Sequence, residues 1–393
     1  MKDFGNGKSK LLIFLLLLCT LAGCGEVDTA SETKEDVIEE VTENTTEEVT
    51  EELSASETLK GDHNIDVEAL QKIIEEQNAL GADMSTDLNN EDYTWDENGR
   101  LTALRIGYHN LKGELSCAGL PALTYLDCGS NQISNLDVSQ NIALTSLWCQ
   151  YNQISNLDVS KNATLTDLHC MGNEISSLGV SENTALTELD CTGNQISSLD
   201  VSKNTALESL NCGNNQISNL DVSENTALEF LFCNSNQIGS LDVSKNTVLT
   251  HLTCDNNQIS NLDVSENTAL TYLSCTNNQI SNLNVSENTA LTHLSCGNNR
   301  ISNLDVSENT ALEFLFCSGN EISSLDVNEN TRLLWLVCDN NQISSLDVGK
   351  NTALRRLDCG NNQISNLDVR NCPLLDYCFY DDNNPDMEVV GWQ

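Results

Sequence analysis

The chain has 393 residues and a formal net charge of −41, with 18 Lys and Arg against 59 Asp and Glu. Nucleic-acid binding requires clustered basic side chains that neutralise phosphates. The acidic balance is spread along the whole chain, so it argues against nucleic acid and other phosphate-rich partners.

Residues 1–24 carry the signature of a bacterial export signal. Three lysines precede an apolar run from Leu11 to Leu21, which is too short for a stable transmembrane span. The run ends in Leu21-Ala22-Gly23-Cys24, which resembles the lipobox of bacterial lipoproteins. The resemblance implies a signal peptide over 1–23, a lipidated Cys24, and a lipid-anchored protein at the bacterial cell surface, outside the cytoplasm. The alternative is an ordinary signal peptide with an accidental cysteine.

The next segment is strongly acidic. Thirteen Asp and Glu and one lysine lie between Glu26 and Thr58, with no aromatic residue. Such a segment cannot bury enough apolar surface to offset the entropy lost on ordering. We therefore expect 24–60 to be a disordered tether, with a binding role for the acidic run as the alternative.

A fixed period dominates the rest of the chain. Each period matches the leucine-rich repeat pattern, as in Leu144-x-x-Leu147-x-Cys149-x-x-Asn152-x-Ile154. The same spacing recurs in its second half, where Leu157-x-Val159 corresponds to Leu147-x-Cys149. The cysteines lie 21 residues apart, at 128, 149, 170, 191, 212, 233, 254, 275, 296, 317, 338 and 359.

This pattern resembles the nested 21-residue subclass of bacterial leucine-rich repeat proteins, within the group that includes internalins. It predicts a leucine-rich repeat solenoid over 101–371, a parallel β coil with two short strands per turn. Alternation along a strand sends Leu147 and Cys149 inward and Ser146 and Trp148 outward. Two asparagine columns, 131 to 362 and 141 to 351, should donate to and accept from the backbone of the next rung, where a rung is one turn of the solenoid.

An open solenoid needs covers at both ends. The spacing of Val67, Leu70, Ile73 and Ile74 predicts a helix over 66–80, inside an N-terminal cap at 61–100, with Asp66 as its N-cap residue and a glycine at 81 just beyond it. At the other end we expect an irregular cap over 372–393. The pattern there suggests that one residue is lost after position 369, that Tyr377 and Phe379 replace Leu and Cys, and that Pro385 ends the repeats.

The cysteines and histidines are expected to be structural. The twelve repeat cysteines point into one core column, where we expect free thiols, while Cys372 and Cys378 are the candidate disulfide pair. Cys117 is expected in the core of the first repeat. His169 and Cys170 alternate in direction, which argues against a zinc site, so we predict no metal and no cofactor.

The second strand exposes Asp in ten rungs. This row is either a solvated surface that favours solubility or a site for divalent cations such as calcium.

One outward position varies while the frame stays constant. From 230 to 335 it carries an aromatic ring in six consecutive rungs, although aromatic residues (Phe, Trp and Tyr) are only 5% of the chain. Such a strip, taken as solvent-facing, favours a recognition surface. The alternative is that the rings stabilise the ladder. The candidate ligand-binding residues are Trp148, Phe230, Phe232, His251, Tyr272, His293, Phe314, Phe316 and Trp335.

These observations predict a non-enzymatic scaffold that binds a protein, in adhesion or as an adaptor, through the Leu-x-Cys strand face. No nucleophile with a base and no glycine-rich phosphate loop is present in the sequence. Internalin-like relatives imply protein ligands. A glycan ligand and a passive spacer remain open, and the same strip could pair two copies of the chain.

Overall fold

The computed structural model describes residues 63–380 and 387–392. The predicted signal peptide, Cys24, the acidic segment and Pro385 lie outside these residues. Within the described part, no helix is long and apolar enough to cross a membrane.

The described residues form a helix followed by a solenoid of short strands. The helix is α1 (His63–Ala79). The strands are β1 (Tyr93–Trp95), β2 (Leu101–Arg105), β3 (Lys112–Ser116), β4 (Tyr125–Asp127), β5 (Gln132–Asp137), β6 (Ser146–Trp148), β7 (Leu157–Asp158), β8 (Asp167–His169), β9 (Leu178–Gly179), β10 (Glu188–Asp190), β11 (Ser209–Asn211), β12 (Phe230–Phe232), β13 (His251–Thr253), β14 (Tyr272–Ser274), β15 (His293–Ser295), β16 (Phe314–Phe316), β17 (Trp335–Val337), β18 (Arg356–Asp358), β19 (Asn366–Asp368), β20 (Tyr377–Phe379) and β21 (Glu388–Val390).

The Leu-x-Cys strands form one 15-stranded sheet, in which only β1 runs antiparallel to its neighbour. Parallel pairing keeps each residue opposite the one 21 positions later, as for Phe230 and His251. The inward leucines and cysteines are buried, with Leu273 and Cys275 fully inaccessible. Each rung buries its apolar side chains only by stacking on the neighbouring rungs, as expected for a repeat solenoid. The leucine-rich repeat fold is confirmed.

The Leu-x-Val side is less regular than the sequence pattern suggests. Its strands pair at the two ends, as β3–β5, β7–β9 and β19–β21. In the described rungs between Leu199 and Leu346 this side carries no assigned strand, although the leucines and valines still point inward. Backbone bonds such as Gln258 N–H to Ile238 O at 2.9 Å still join neighbouring rungs there.

The N-terminal helix covers the first rungs through its apolar face and two polar contacts. Leu70, Ile73 and Ile74 are buried in the core, and Val67 is half-buried. The amide of Gln77 donates to Glu114 O at 2.7 Å and accepts from the Lys112 N–H at 2.9 Å. The helix therefore seals the edge of β3.

The prediction that Asp66 is the N-cap was wrong, because the helix begins three residues earlier. Asp66 is fully buried and accepts hydrogen bonds from the Arg100 guanidinium at 3.0 and 3.1 Å and from the Leu101 N–H at 2.9 Å. This buried pair ties the helix to β2. Gly81 follows the helix with φ of 94°, a conformation that favours glycine.

The C-terminal expectation also needs correction, because the chain keeps its period through 379. Strand β20 pairs Tyr377 with Arg356 and Cys378 with Leu357. No residue is lost, and Cys378 replaces the inward leucine. Tyr377 and Phe379 occupy outward positions and are about half exposed.

The fifteen described cysteines are free thiols, including Cys372 and Cys378, so the candidate disulfide is not formed. Register explains this result: Cys372 takes the place of a column asparagine, and its thiol donates to Val348 O at 3.5 Å. Burial raises the pKa of the Cys117 thiol to about 12 and that of Cys275 well above its usual value. These thiols are therefore protonated and unreactive at neutral pH.

The two asparagine columns behave differently. In the first, Asn152 donates to Cys128 O at 3.0 Å and accepts from the Ile133 N–H at 2.9 Å, as predicted. In the second, Asn162 donates to Val138 O and Asn141 O, but its Oδ1 has no partner among the described residues. The local turn explains the difference, because its backbone N–H groups already bond to carbonyls within the turn.

Candidate functional site

The predicted ligand-binding residues lie on the outer side of the large sheet, in two neighbouring columns that we call the Leu-x-Cys face. Trp148 is 37% exposed, and six of the others are neither buried nor fully open. The expectation of a solvent-facing strip was wrong for Phe232 and Tyr272, which are 8% and 9% exposed. Tyr272 is covered by the rings of His251 and His293 on the adjacent rungs. Phe232 lies in register between Asn211 and Thr253, neither of which carries a ring.

Six side chains on consecutive rungs form a continuous series of ring contacts, which we call the aromatic stack. Its consecutive ring centroids are 5.0, 5.9, 5.5, 4.3 and 5.5 Å apart. The first four pairs have interplanar angles of 14° to 31°, and the last is edge-to-face at 70°. The stack consists of Phe230, His251, Tyr272, His293, Phe314 and Trp335.

These distances show which part of each ring is available to a ligand. Two rings side by side in one plane could not approach to 4.3–5.9 Å, so the near-parallel rings must lie face to face with an offset. The faces are therefore covered by neighbours, and the exposed part of each ring is its edge. Phe316 adds a second apolar contact, with centroids 6.5 Å from Phe314 and 6.3 Å from Trp335.

Arginine side chains lie over rings near both ends of the column that contains the aromatic stack. The Arg356 guanidinium lies 4.6 Å from the Trp335 ring centroid and 5.9 Å from that of Tyr377. At the other end, Arg105 lies 5.1 Å from the Tyr125 ring centroid. Tyr125 begins a separate aromatic group that includes Trp148 and His169. These cation–π contacts were not anticipated from the sequence, although the 21-residue spacing of Trp335 and Arg356 was a usable signal.

The two histidines of the stack are held neutral. Burial, with a smaller contribution from His293, lowers the pKa of His251 to about 4. Burial also lowers the pKa of His293, while Glu313 acts in the opposite direction. Each imidazole Nδ1 is 2.9 Å from the hydroxyl of the preceding threonine, Thr250 or Thr292. Neutral rings are the form that packs between apolar neighbours.

Carboxylates lie beside the stack, and the sequence pattern gave no sign of how deeply one of them is buried. Asp255 is 5% exposed, accepts from the Ser274 hydroxyl at 2.7 Å and from the Thr276 N–H at 2.6 Å, and has a pKa raised by burial. Burial, with a smaller contribution from Asp255, raises the pKa of the Tyr272 phenol to about 12. The Leu-x-Cys face is thus acidic as well as aromatic.

The opposite row of aspartates has a local structural role. In most of these rungs the carboxylate accepts from the backbone N–H two residues later, as Asp158 does from Ser160 at 2.9 Å. That bond is the largest cause of the lowered pKa of Asp158. In the described part of the chain, no group of three or more His, Cys, Asp or Glu is arranged to hold a metal ion.

Comparisons with known proteins support the fold. A family model described as leucine-rich repeats (2 copies) matches residues 205–246. The functional domain of InlJ from Listeria monocytogenes, described as including a cysteine ladder, is 38% identical with a TM-score of 0.65. That match covers 70% of this chain, and the chain spans 63% of the length of the InlJ domain.

Two further solved structures are similar. An internalin, InlF, from Listeria monocytogenes is 25% identical with a TM-score of 0.57, and the match covers 70% of this chain and 82% of that one. A leucine-rich repeat protein of Leptospira interrogans is 24% identical with a TM-score of 0.66, covering 74% and 83%. No curated protein matches the chain. The chain is therefore a leucine-rich repeat scaffold that resembles bacterial internalins, and its cysteine column parallels the ladder described for InlJ.

Proposed function

We propose that this chain is a non-enzymatic, lipid-anchored scaffold on the bacterial cell surface, which binds a protein through the Leu-x-Cys face in adhesion or as an adaptor. The observation that carries the proposal is the contrast between the two sides of each rung. The outward Leu-x-Val position is Asp in ten rungs, whereas the outward Leu-x-Cys positions vary and collect the aromatic rings. Variation confined to one face supports recognition there, since structural needs are the same in every rung.

The ring orientation favours a protein over a glycan. A sugar ring stacks on an open aromatic face, and the faces in the stack from Phe230 to Phe314 are occupied by neighbouring rings. Ring edges instead suit the apolar and aromatic side chains of a protein, through van der Waals and edge-to-face contact. A passive spacer would need no aromatic residues on its surface.

The stack also stabilises the ladder, so a test must separate folding from binding. We would expose the purified full chain to surface proteins and, in parallel, to a glycan array. The test variant is Phe314→Ala/Phe316→Ala/Trp335→Ala, which removes half-buried rings and leaves buried Tyr272 in place. The control variant is Ile142→Ala/Val248→Ala, at exposed apolar positions outside the two columns.

The expected result is a protein captured by the native chain and by the control, and lost by the test variant while its circular dichroism is unchanged. Capture of a glycan alone would move the proposal to the carbohydrate alternative. Equal capture by all three forms would refute a binding role for the Leu-x-Cys face.

A further inference from the structure

The Leu-x-Cys face carries acidic residues without basic ones over ten consecutive rungs. In each rung the two columns lie within a six-residue segment, from the residue before the strand to the residue after the cysteine. Over the ten consecutive segments from 145–150 to 334–339, these positions hold eight Asp and Glu and no Lys or Arg. The three lysines of the same region, at 161, 203 and 245, lie in the turn after the Leu-x-Val side, and Arg300 and Arg332 lie outside these segments. Basic residues are thus absent from this face over these ten rungs, and Arg355 and Arg356 follow in the next rung.

The carboxylates lie on both sides of the aromatic stack. Glu313 is on one side and interacts electrostatically with His293, and Asp255 is on the other and interacts with Tyr272. Glu229 occupies the same column as Glu313, four rungs earlier, and both are half-buried. No lysine or arginine among the described residues forms an ion pair with Glu229, Glu313 or Asp255.

The geometry limits how a cation can approach this face. The ring faces are filled by neighbouring rings, and Arg356 covers the terminal ring, Trp335. The C–H edges of Phe230, Phe314 and Trp335 carry partial positive charge, so they do not attract an ammonium or guanidinium group. An incoming cation is therefore directed to the flanking carboxylates, while apolar side chains fit the ring edges between them.

We propose that the ligand of the Leu-x-Cys face is a basic protein segment, whose lysine or arginine side chains pair with Glu229 and Glu313 while its apolar side chains cover the aromatic stack. This inference rests on the proposed function and adds the chemistry of the partner. Four rungs separate the two glutamates by about 19 Å, a distance that about six extended residues span. Complementary charge of this kind chiefly speeds association and selects the partner.

The probe is a synthetic peptide with two Lys-Arg pairs about six residues apart and leucines between them. A second peptide carries glutamates in place of the basic residues. The protein is the full chain, compared with the variants Glu229→Gln/Glu313→Gln and Glu224→Gln/Glu308→Gln. Both variants have the same net charge, but Glu224 and Glu308 are exposed in the turn after the Leu-x-Val side. The control therefore removes the general attraction between an acidic protein and a basic peptide.

We expect the basic peptide to bind the native chain and the control variant equally, and to bind Glu229→Gln/Glu313→Gln about fivefold to twentyfold more weakly, with a smaller dependence on salt. Equal loss in both variants would show non-specific attraction and overturn the inference. Equal binding of the acidic peptide would overturn it as well.

This outcome is separable from that of the proposed function. If capture finds a protein that depends on Phe314, Phe316 and Trp335 but binds Glu229→Gln/Glu313→Gln as well as the native chain, the scaffold role stands and the basic partner is wrong. If the triple aromatic variant captures that protein as well as the native chain does, the proposed function itself fails.

Discussion

Acidification should weaken the solenoid through His251, and replacement of this side chain by phenylalanine should remove the effect. The imidazole lies in the stack between Phe230 and Tyr272, with ring centroids 5.0 and 5.9 Å away. Burial and His293 lower its pKa from 6.5 to about 4 in the folded chain. The unfolded chain therefore binds a proton at a higher pH than the folded chain does. The stabilising contribution is complete above about pH 6.5 and is lost as the pH falls towards 4.

The size of the effect follows from the shift and from the exposure of the ring. The full difference in pKa corresponds to about 3 kcal/mol. His251 is only partly buried, so solvent screening reduces the expected effect to about 1–2 kcal/mol. His251→Phe keeps an aromatic ring in the stack and removes the titrating group.

Urea unfolding at pH 7.5 and pH 4.5 measures this contribution as the difference between native and His251→Phe free energies. We expect the difference to change by about 1–2 kcal/mol in favour of the variant at pH 4.5. Nuclear magnetic resonance titration of the imidazole gives a direct check, with an expected pKa near 4. A His251 pKa near 6.5, or parallel pH profiles for the two proteins, would refute the reasoning.

Three further predictions concern the frame. Asn267→Ala should cost about 1–3 kcal/mol in urea unfolding, because it removes the two buried hydrogen bonds from its Nδ2 to Val243 O and Asn246 O, which keep their backbone donors. The exposed Glu266→Ala should cost under about 0.5 kcal/mol. In a maleimide pulse read by mass spectrometry, Cys378 should react before any of the twelve column cysteines, because it is half-buried and its pKa is about 11. Equal reaction rates would contradict the burial of the column cysteines. The melting temperature should agree within about 1 °C between millimolar calcium and chelator, because backbone N–H groups already donate to most aspartates of the Leu-x-Val side. A rise of several degrees in calcium would show a cation site.

The sequence was sufficient for the fold because the period leaves little choice. One register of 21 residues places the repeat leucines, cysteines and valines inward. The structure keeps this register at Cys378, where the sequence had suggested the loss of one residue. The helix was found from apolar spacing, but its start was placed too late. Asp66 has the residue type of a cap, and only the tertiary pairing with Arg100 shows its actual role.

The candidate site was less predictable than the fold. Alternation along the strand placed Phe232 and Tyr272 outward, which is right for the backbone. It could not show how far side chains of neighbouring rungs cover them, as the rings of His251 and His293 cover Tyr272. Exposure in a ladder depends on the neighbouring rungs and not on strand parity alone. The partnerless Oδ1 atoms of the second asparagine column were missed for a similar reason, since the local turn uses the N–H groups that would serve them.

The proposed function requires that the Leu-x-Cys face contacts the ligand. Hydroxyl-radical footprinting of the full chain, with and without its captured protein, tests this most directly because it reports side-chain protection residue by residue. We predict that the ligand reduces modification of Phe314, Phe316 and Trp335 and leaves modification of the exposed Ile142 and Tyr108 side chains unchanged. Protection confined to residues outside the two columns, with these three side chains modified at the same rate, would contradict it.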